Sequence, residues 1–93
     1  MPVSVRLPTV LRPHASGQSV VEAPAGSVGD IVVDLVARFP GMKGNLLTES
    51  GELQRFVNIY VNDEDIRYLD KAATPVADGD EVTILPAVAG GAV

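Results

Sequence analysis

Between Ser27 and Pro40-Gly41, Val28, Ile31, Val32, Leu35, Val36 and Phe39 fall at i, i+3, i+4, i+7, i+8 and i+11. That spacing lines them up as one stripe on an α-helix, whereas a strand would scatter them over both faces. Ser27 is placed to cap the helix, with Asp30 three residues on, where its carboxylate also faces the positive helix end. Pro40-Gly41 stops it. A helix with one apolar face needs one apolar cover, so the rest of the chain must supply it.

The rest reads as strands. Val3, Val5 and Leu7 alternate with Ser4 and Arg6, the period of a strand with one buried face. Pro8 and Pro13 bracket a loop, and residues 18–23 form a valine-rich run that pairs with the first strand as a hairpin. The loop between them is longer than a two-residue turn and leaves the register open. Residues 42–54 read as a long connection with a helical turn near 45–47. Val57, Ile59 and Val61 alternate with Asn58, Tyr60 and Asn62 in a further strand. Asn62-Asp63-Glu64-Asp65 is expected to turn and residues 66–68 to return as a short strand. Thr74-Pro75 and Asp78-Gly79-Asp80 are turn signals. Residues 81–85 form the last strand, with Val82 and Ile84 inward and Pro86 ending its pairing.

The order β-β-α-β-β-β predicts an α+β chain of the β-grasp, ubiquitin-like class. In it the first and last strands lie side by side at the centre of a mixed sheet, and the one main helix packs across a face. Residues 1–86 make the β-grasp domain. Residues 87–93, Ala87-Val88-Ala89-Gly90-Gly91-Ala92-Val93, are small and without period, and read as a flexible tail.

Composition removes several function classes. The chain has 93 residues, enough for one modest core, and no cysteine, which excludes disulfides, thiolate metal sites and cysteine nucleophiles. Twelve acidic residues against seven basic leave a net charge of −5 with no Lys/Arg block. That argues against nucleic acid and anionic membranes and suits a positively charged protein partner. The segment MPVSVRLPTV is not a signal peptide, and no apolar run approaches the roughly 18 residues of a membrane span. A cytoplasmic protein is expected. His14 has no second histidine or cysteine to share a metal with, so no metal site is expected. Asn62-Asp63-Glu64-Asp65 lacks the glycine and distal glutamate of a calcium loop. Ser16 and Ser19 lie near His14 in sequence without forming a nucleophile–base–orienter set. No catalytic site is read, and the chain is expected not to be an enzyme.

The chemistry that remains belongs to the tail. Five residues separate Pro86 from the end of Gly91, and fully extended they reach roughly 17 Å. Glycine at positions 90 and 91 removes both β-carbons, so a narrow channel can admit the backbone. Those are the physical demands on a carrier whose reactive group is its own terminal carboxyl. Phe56, Tyr60 and Leu85, beside the tail on the sheet face away from the helix, are candidates for a partner surface.

Three stretches carry a resemblance to a known group: Leu11-Arg12-Pro13-His14, the run from Arg55 through Phe56-Val57-Asn58-Ile59-Tyr60-Val61-Asn62-Asp63-Glu64 to Asp65, and Ala77-Asp78-Gly79-Asp80 with the last strand and Gly90-Gly91. Together they resemble the ThiS/MoaD family of ubiquitin-like sulfur carriers, most closely its CysO type. The resemblance implies that an ATP-dependent adenylating enzyme converts the Gly91 carboxylate to an acyl-adenylate, and that a sulfur donor then displaces AMP to leave a thiocarboxylate. It further implies a PLP-dependent cysteine synthase as sulfur acceptor, a JAMM-type zinc metalloprotease that releases the product, and recognition of the tail through Val88, Ala89 and Gly90. The carrier itself would bind no cofactor. The family ends at Gly-Gly, whereas here Ala92-Val93 follow. While they remain, Gly91 is an internal amide, so removal of Ala92-Val93 by cleavage between Gly91 and Ala92 is expected. Two alternatives stay open: a carrier serving molybdopterin, thiazole or a secondary metabolite, and a ubiquitin-like protein modifier or interaction module.

Overall fold

The computed structural model describes residues 2–54 and 57–86. In chain order these form β1 (Val3–Arg6), β2 (Val20–Ala23), β3 (Gly26–Ser27), α1 (Val28–Arg38), α2 (Lys43–Leu46), β4 (Val57–Val61), β5 (Glu64–Asp65), β6 (Pro75–Val76) and β7 (Glu81–Pro86). Five strands make one sheet in the order β2-β1-β7-β4-β5. β1 and β7 run parallel at its centre, with Val5 opposite Val82, and the other neighbours are antiparallel. This is the predicted β-grasp.

α1 forms where the stripe requires it. The Asp30 amide donates to Ser27 Oγ at 3.1 Å and the Ser27 amide donates to the Asp30 carboxylate at 3.2 Å, so two otherwise orphaned donors at the helix start are satisfied reciprocally. Val28, Ile31, Val32 and Leu35 are buried, and Val36 and Phe39 pack at the margin. They meet the inward residues Val3, Val5, Ile59, Val61, Val82 and Ile84 from the sheet. Burying each such side chain contributes about 1.5–3 kcal/mol, which is why patterning decides this architecture.

The connections differ from expectation in four places. The turn after β4 is shorter than predicted. Asn62 and Asp63 both take positive φ, 51° and 73°, the two-residue hairpin turn that suits the twist of the flanking strands. Pairing therefore resumes at Glu64, opposite Val61, and the return strand is Glu64–Asp65. Residues 66–68 are a 3-10 turn instead of a strand, because the Asp65 carboxylate accepts the Arg67 amide at 2.8 Å and starts a turn. Pro75-Val76 is a short edge strand rather than a bare turn, with Val76 opposite Gly26 and Pro75 opposite Ser27. The Val28 amide donates to the Thr74 carbonyl at 3.0 Å, so this small ladder fastens the helix start to the loop before β6.

The two long loops also hold core. The Pro8–Pro13 loop runs into a 3-10 turn at Arg12–Ala15 with Leu11 and Ala15 buried. After α1, Pro40–Met42 is a 3-10 turn leading into α2, where Met42 and Leu46 are fully buried. The two loops touch through His14, whose ring lies so close to Gly41 that an added Cβ would fall 2.5 Å from Nδ1. Finally, the last strand, expected over residues 81–85, extends to Pro86, which pairs opposite Val57.

Two predictions follow from the caps and turns. Ser27→Ala removes one half of the reciprocal cap and should cost about 1 kcal/mol, read as a fall in Tm of roughly 4–8 °C. The second concerns the Asp78-Gly79 turn. Asp80 accepts the Ala77 amide at 2.9 Å, and this bond, with a second from the Asn62 side chain, holds its carboxyl below the ordinary value of 3.8. A depressed carboxyl adds stability above pH 3.8 and loses it as pH falls through the folded value. Asp80→Asn should therefore show a shallower loss of stability below pH 3.8 than the native chain in urea unfolding.

Candidate functional site

Parallel pairing of β1 with β7 sends the carboxyl ends of both strands to the same end of the sheet. The loop after β1 and the end of β7 therefore lie at the same end of the sheet. Around that point lies an open groove of about 550 Å³ lined by Arg6, Pro8, Val10, Arg12, Val20 and Leu85, among others, and, among the described residues, by no carboxylate. Val10, Val20 and Leu85 are 60%, 43% and 44% exposed. Large aliphatic side chains so exposed, gathered around one hollow, are the composition of a contact surface.

The strand register explains the outer face. Val20 stands opposite Arg6, Arg6 opposite Thr83, Thr83 opposite Tyr60, and Tyr60 opposite Asp65, giving one row across all five strands on the side away from α1. Leu85 is two residues beyond Thr83 on the same side, opposite Asn58. Tyr60 is half-buried in this row and Leu85 stands clear of it. The structure thus puts these two predicted surface residues on one face. The third, Phe56, lies outside the described residues, as do Val88, Ala89, Gly90, Gly91 and Ala92.

Arg6 and Arg12 give the groove its charge. Arg6 Nε donates to Glu81 at 2.8 Å, an exposed pair that holds the guanidinium along the sheet. Arg12 Nε donates to the Leu7 carbonyl at 3.3 Å and so braces the loop over the groove mouth. In a chain of net charge −5, this region combines two arginines with apolar walls. Arg6 was readable as outward from its alternation with Val5 and Leu7, whereas Val20, in a run whose register the sequence left open, was not. Arg12 and Val10 were not, because the loop that carries them has no period.

Among the described residues, no three His, Cys, Asp or Glu side chains gather as a metal site, and no helix is long and apolar enough to cross a membrane.

Known proteins were compared with this chain. The ThiS family matches residues 5–91. A relative from Mycobacterium tuberculosis, the sulfur carrier protein CysO, is 54% identical over 93 residues, covering 98% of this chain and all of the relative. The crystal structure of the Amycolatopsis orientalis BexX/CysO complex contains a chain that superposes with a TM-score of 0.86 at 48% identity, covering 96% of this chain and 99% of that one. Small archaeal modifier protein 3 from Haloferax volcanii is 42% identical over 65 residues, 70% of each chain.

Since Leu85 is exposed and lies outside the buried cluster, Leu85→Ser should change unfolding stability by less than about 0.5 kcal/mol in denaturant titration. Any loss of binding in that variant then reports the surface rather than the fold.

Proposed function

The chain belongs to the ThiS family, and from that premise we propose that it is a sulfur carrier whose working group is the carboxyl of Gly91. The observation that carries the proposal is the matched extent: the family likeness runs through residue 91, taking in Gly90-Gly91, and stops short of Ala92-Val93. The 54% identity to a sulfur carrier over nearly the whole chain supports the same reading.

The chemistry is consistent with a chain that has no cysteine. A carboxylate is a poor electrophile. ATP converts the freed Gly91 carboxylate to an acyl-adenylate, releasing pyrophosphate. A sulfur nucleophile then attacks the acyl carbon and AMP departs, leaving a thiocarboxylate that is ionised near neutral pH and nucleophilic. Sulfur is thus held on the main chain, and the tail carries it into the acceptor enzyme. Removal of Ala92-Val93 by hydrolysis of the Gly91–Ala92 amide comes first, because an internal amide has no carboxylate to adenylate. We assign the acceptor to cysteine synthesis, with a PLP-dependent synthase receiving sulfur and a JAMM-type metalloprotease releasing the product. The likeness to CysO relatives supports that pathway.

The groove beside the tail root supplies the docking surface in this reading. Val10, Val20 and Leu85 would cover apolar side chains of the adenylating enzyme, and Arg6 and Arg12 would face carboxylates on it. A second reading, as a protein modifier joined to lysines through Gly91, is favoured by the identity to small archaeal modifier protein 3. Amide adducts on other proteins would distinguish it.

The test uses the chain ending at Gly91, the chain through Val93, and a chain lacking Gly90-Gly91, each incubated with ATP, sulfide and the adenylating enzyme. By intact mass, the first should exchange one oxygen for sulfur and the other two should not. Sulfur on the chain that keeps Ala92-Val93 would defeat the trimming step, and no sulfur on the first would defeat the carrier. Leu85→Ser, in the chain ending at Gly91, should raise the carrier concentration for half-maximal rate about tenfold, corresponding to ~1.4 kcal/mol of docking.

A further inference from the structure

At the opposite end of β7, the loop between β5 and β6 presents Tyr68 with 87% of its surface exposed and Leu69 with 37%. Single exposed apolar residues are ordinary. What distinguishes this pair is how firmly the backbone beneath it is held. Ile66 is buried under the loop, and the Arg67 amide donates to Asp65 Oδ1 at 2.8 Å. The Leu69 amide donates to the Ile66 carbonyl at 3.0 Å, the Ala73 amide donates to the Asp70 carbonyl at 2.9 Å, and the Asp70 amide donates to the hydroxyl of buried Thr74 at 3.0 Å. An aromatic side chain displayed on a backbone already fixed loses little freedom when it is covered, which is what binding anchors require.

Beside the pair lies an open groove of about 560 Å³. Val61, Leu69 and Pro75 give it apolar walls, and Glu64, Asp70 and Asp80 give it carboxylates. Among the described residues no lysine or arginine lines it, while Arg67 and Lys71 from the same loop line a neighbouring groove with Asp65, against Leu53 and Ile59.

We propose that this groove is a separate docking surface for an arginine- or lysine-bearing segment of a partner protein. The aliphatic stem would lie against Leu69 and the Tyr68 ring, with the cationic head among Glu64, Asp70 and Asp80. Charge complementarity selects this occupant, since an acidic segment would be repelled by three carboxylates and a purely apolar one would strip water from them without a cation in return. The groove lies by Asn62 and Asp80, at the start of β7, whereas the groove of the candidate site lies at its end. A strand of that length separates them by roughly 17 Å at about 3.3 Å per residue. A partner bound here leaves the tail root uncovered and raises the local concentration of whatever enzyme it is joined to. The inference does not depend on the carrier reading.

Tri-arginine amide, titrated into the isotopically labelled full chain and followed by amide chemical shifts, tests it. Saturable shifts should centre on Glu64, Tyr68, Leu69, Asp70 and Asp80. Tyr68→Ala should weaken binding about fivefold, Tyr68→Phe should restore it, and Leu85→Ser should leave it unchanged. Shifts spread over all the carboxylates without saturation, no shifts at all, or equal affinity in Tyr68→Ala would overturn the proposal. Because Tyr68 is exposed, its variants should keep the native Tm, and the shift pattern outside the loop verifies that they are folded.

Discussion

Parallel pairing of β1 with β7 is the constraint on which the rest of the molecule depends. Parallel strands cannot be joined by a tight turn, so everything between them must travel out and back, and α1 makes the crossing over one face of the sheet. Burial of Val3, Val5, Val82 and Ile84 under Ile31, Val32 and Leu35 holds this centre. The same pairing fixes where both strands finish. The loop after β1, with Val10 and Arg12, and the last residue of β7 are brought to one end of the sheet without any contact between them being needed. Topology thus places the candidate groove beside the end of β7, where the proposed carrier reading has the tail begin.

Charge is distributed along β7 in a way that composition conceals. A net charge of −5 suggests a uniformly acidic surface. Yet among the described residues the groove at the strand's end is lined by two arginines and no carboxylate, and the groove at its start by three carboxylates and no cation. Under the proposals made for them, the two ends would suit partners of opposite charge, a form of discrimination that acts on encounter rates as well as on affinity.

Much of this was legible in the residues. The stripe from Val28 to Phe39, its Ser27/Asp30 cap, and the alternation in β1, β4 and β7 specified the class and the central strands, because periodic burial leaves a mark at every second or fourth position. The face carrying Tyr60 and Leu85 followed from the same alternation. Irregular elements left no such mark. Leu11, Met42 and Leu46 are core residues on short helical turns, where a single apolar side chain has no period to reveal it. The β4–β5 hairpin was misjudged because Asn62-Asp63 can form a two-residue or a longer turn, and the choice is made by tertiary pairing of Glu64 with Val61. The β3–β6 ladder joins residues some fifty positions apart and is invisible to any local reading.

The central claim is that a freed Gly91 carboxyl is the reactive group. It is tested most directly by the intact mass of the chain recovered from its own cells under sulfur-replete growth. The account predicts a form ending at Gly91, part of it with one oxygen replaced by sulfur and the label confined to the terminal peptide. A population that ends uniformly at Val93 and bears no sulfur would contradict it.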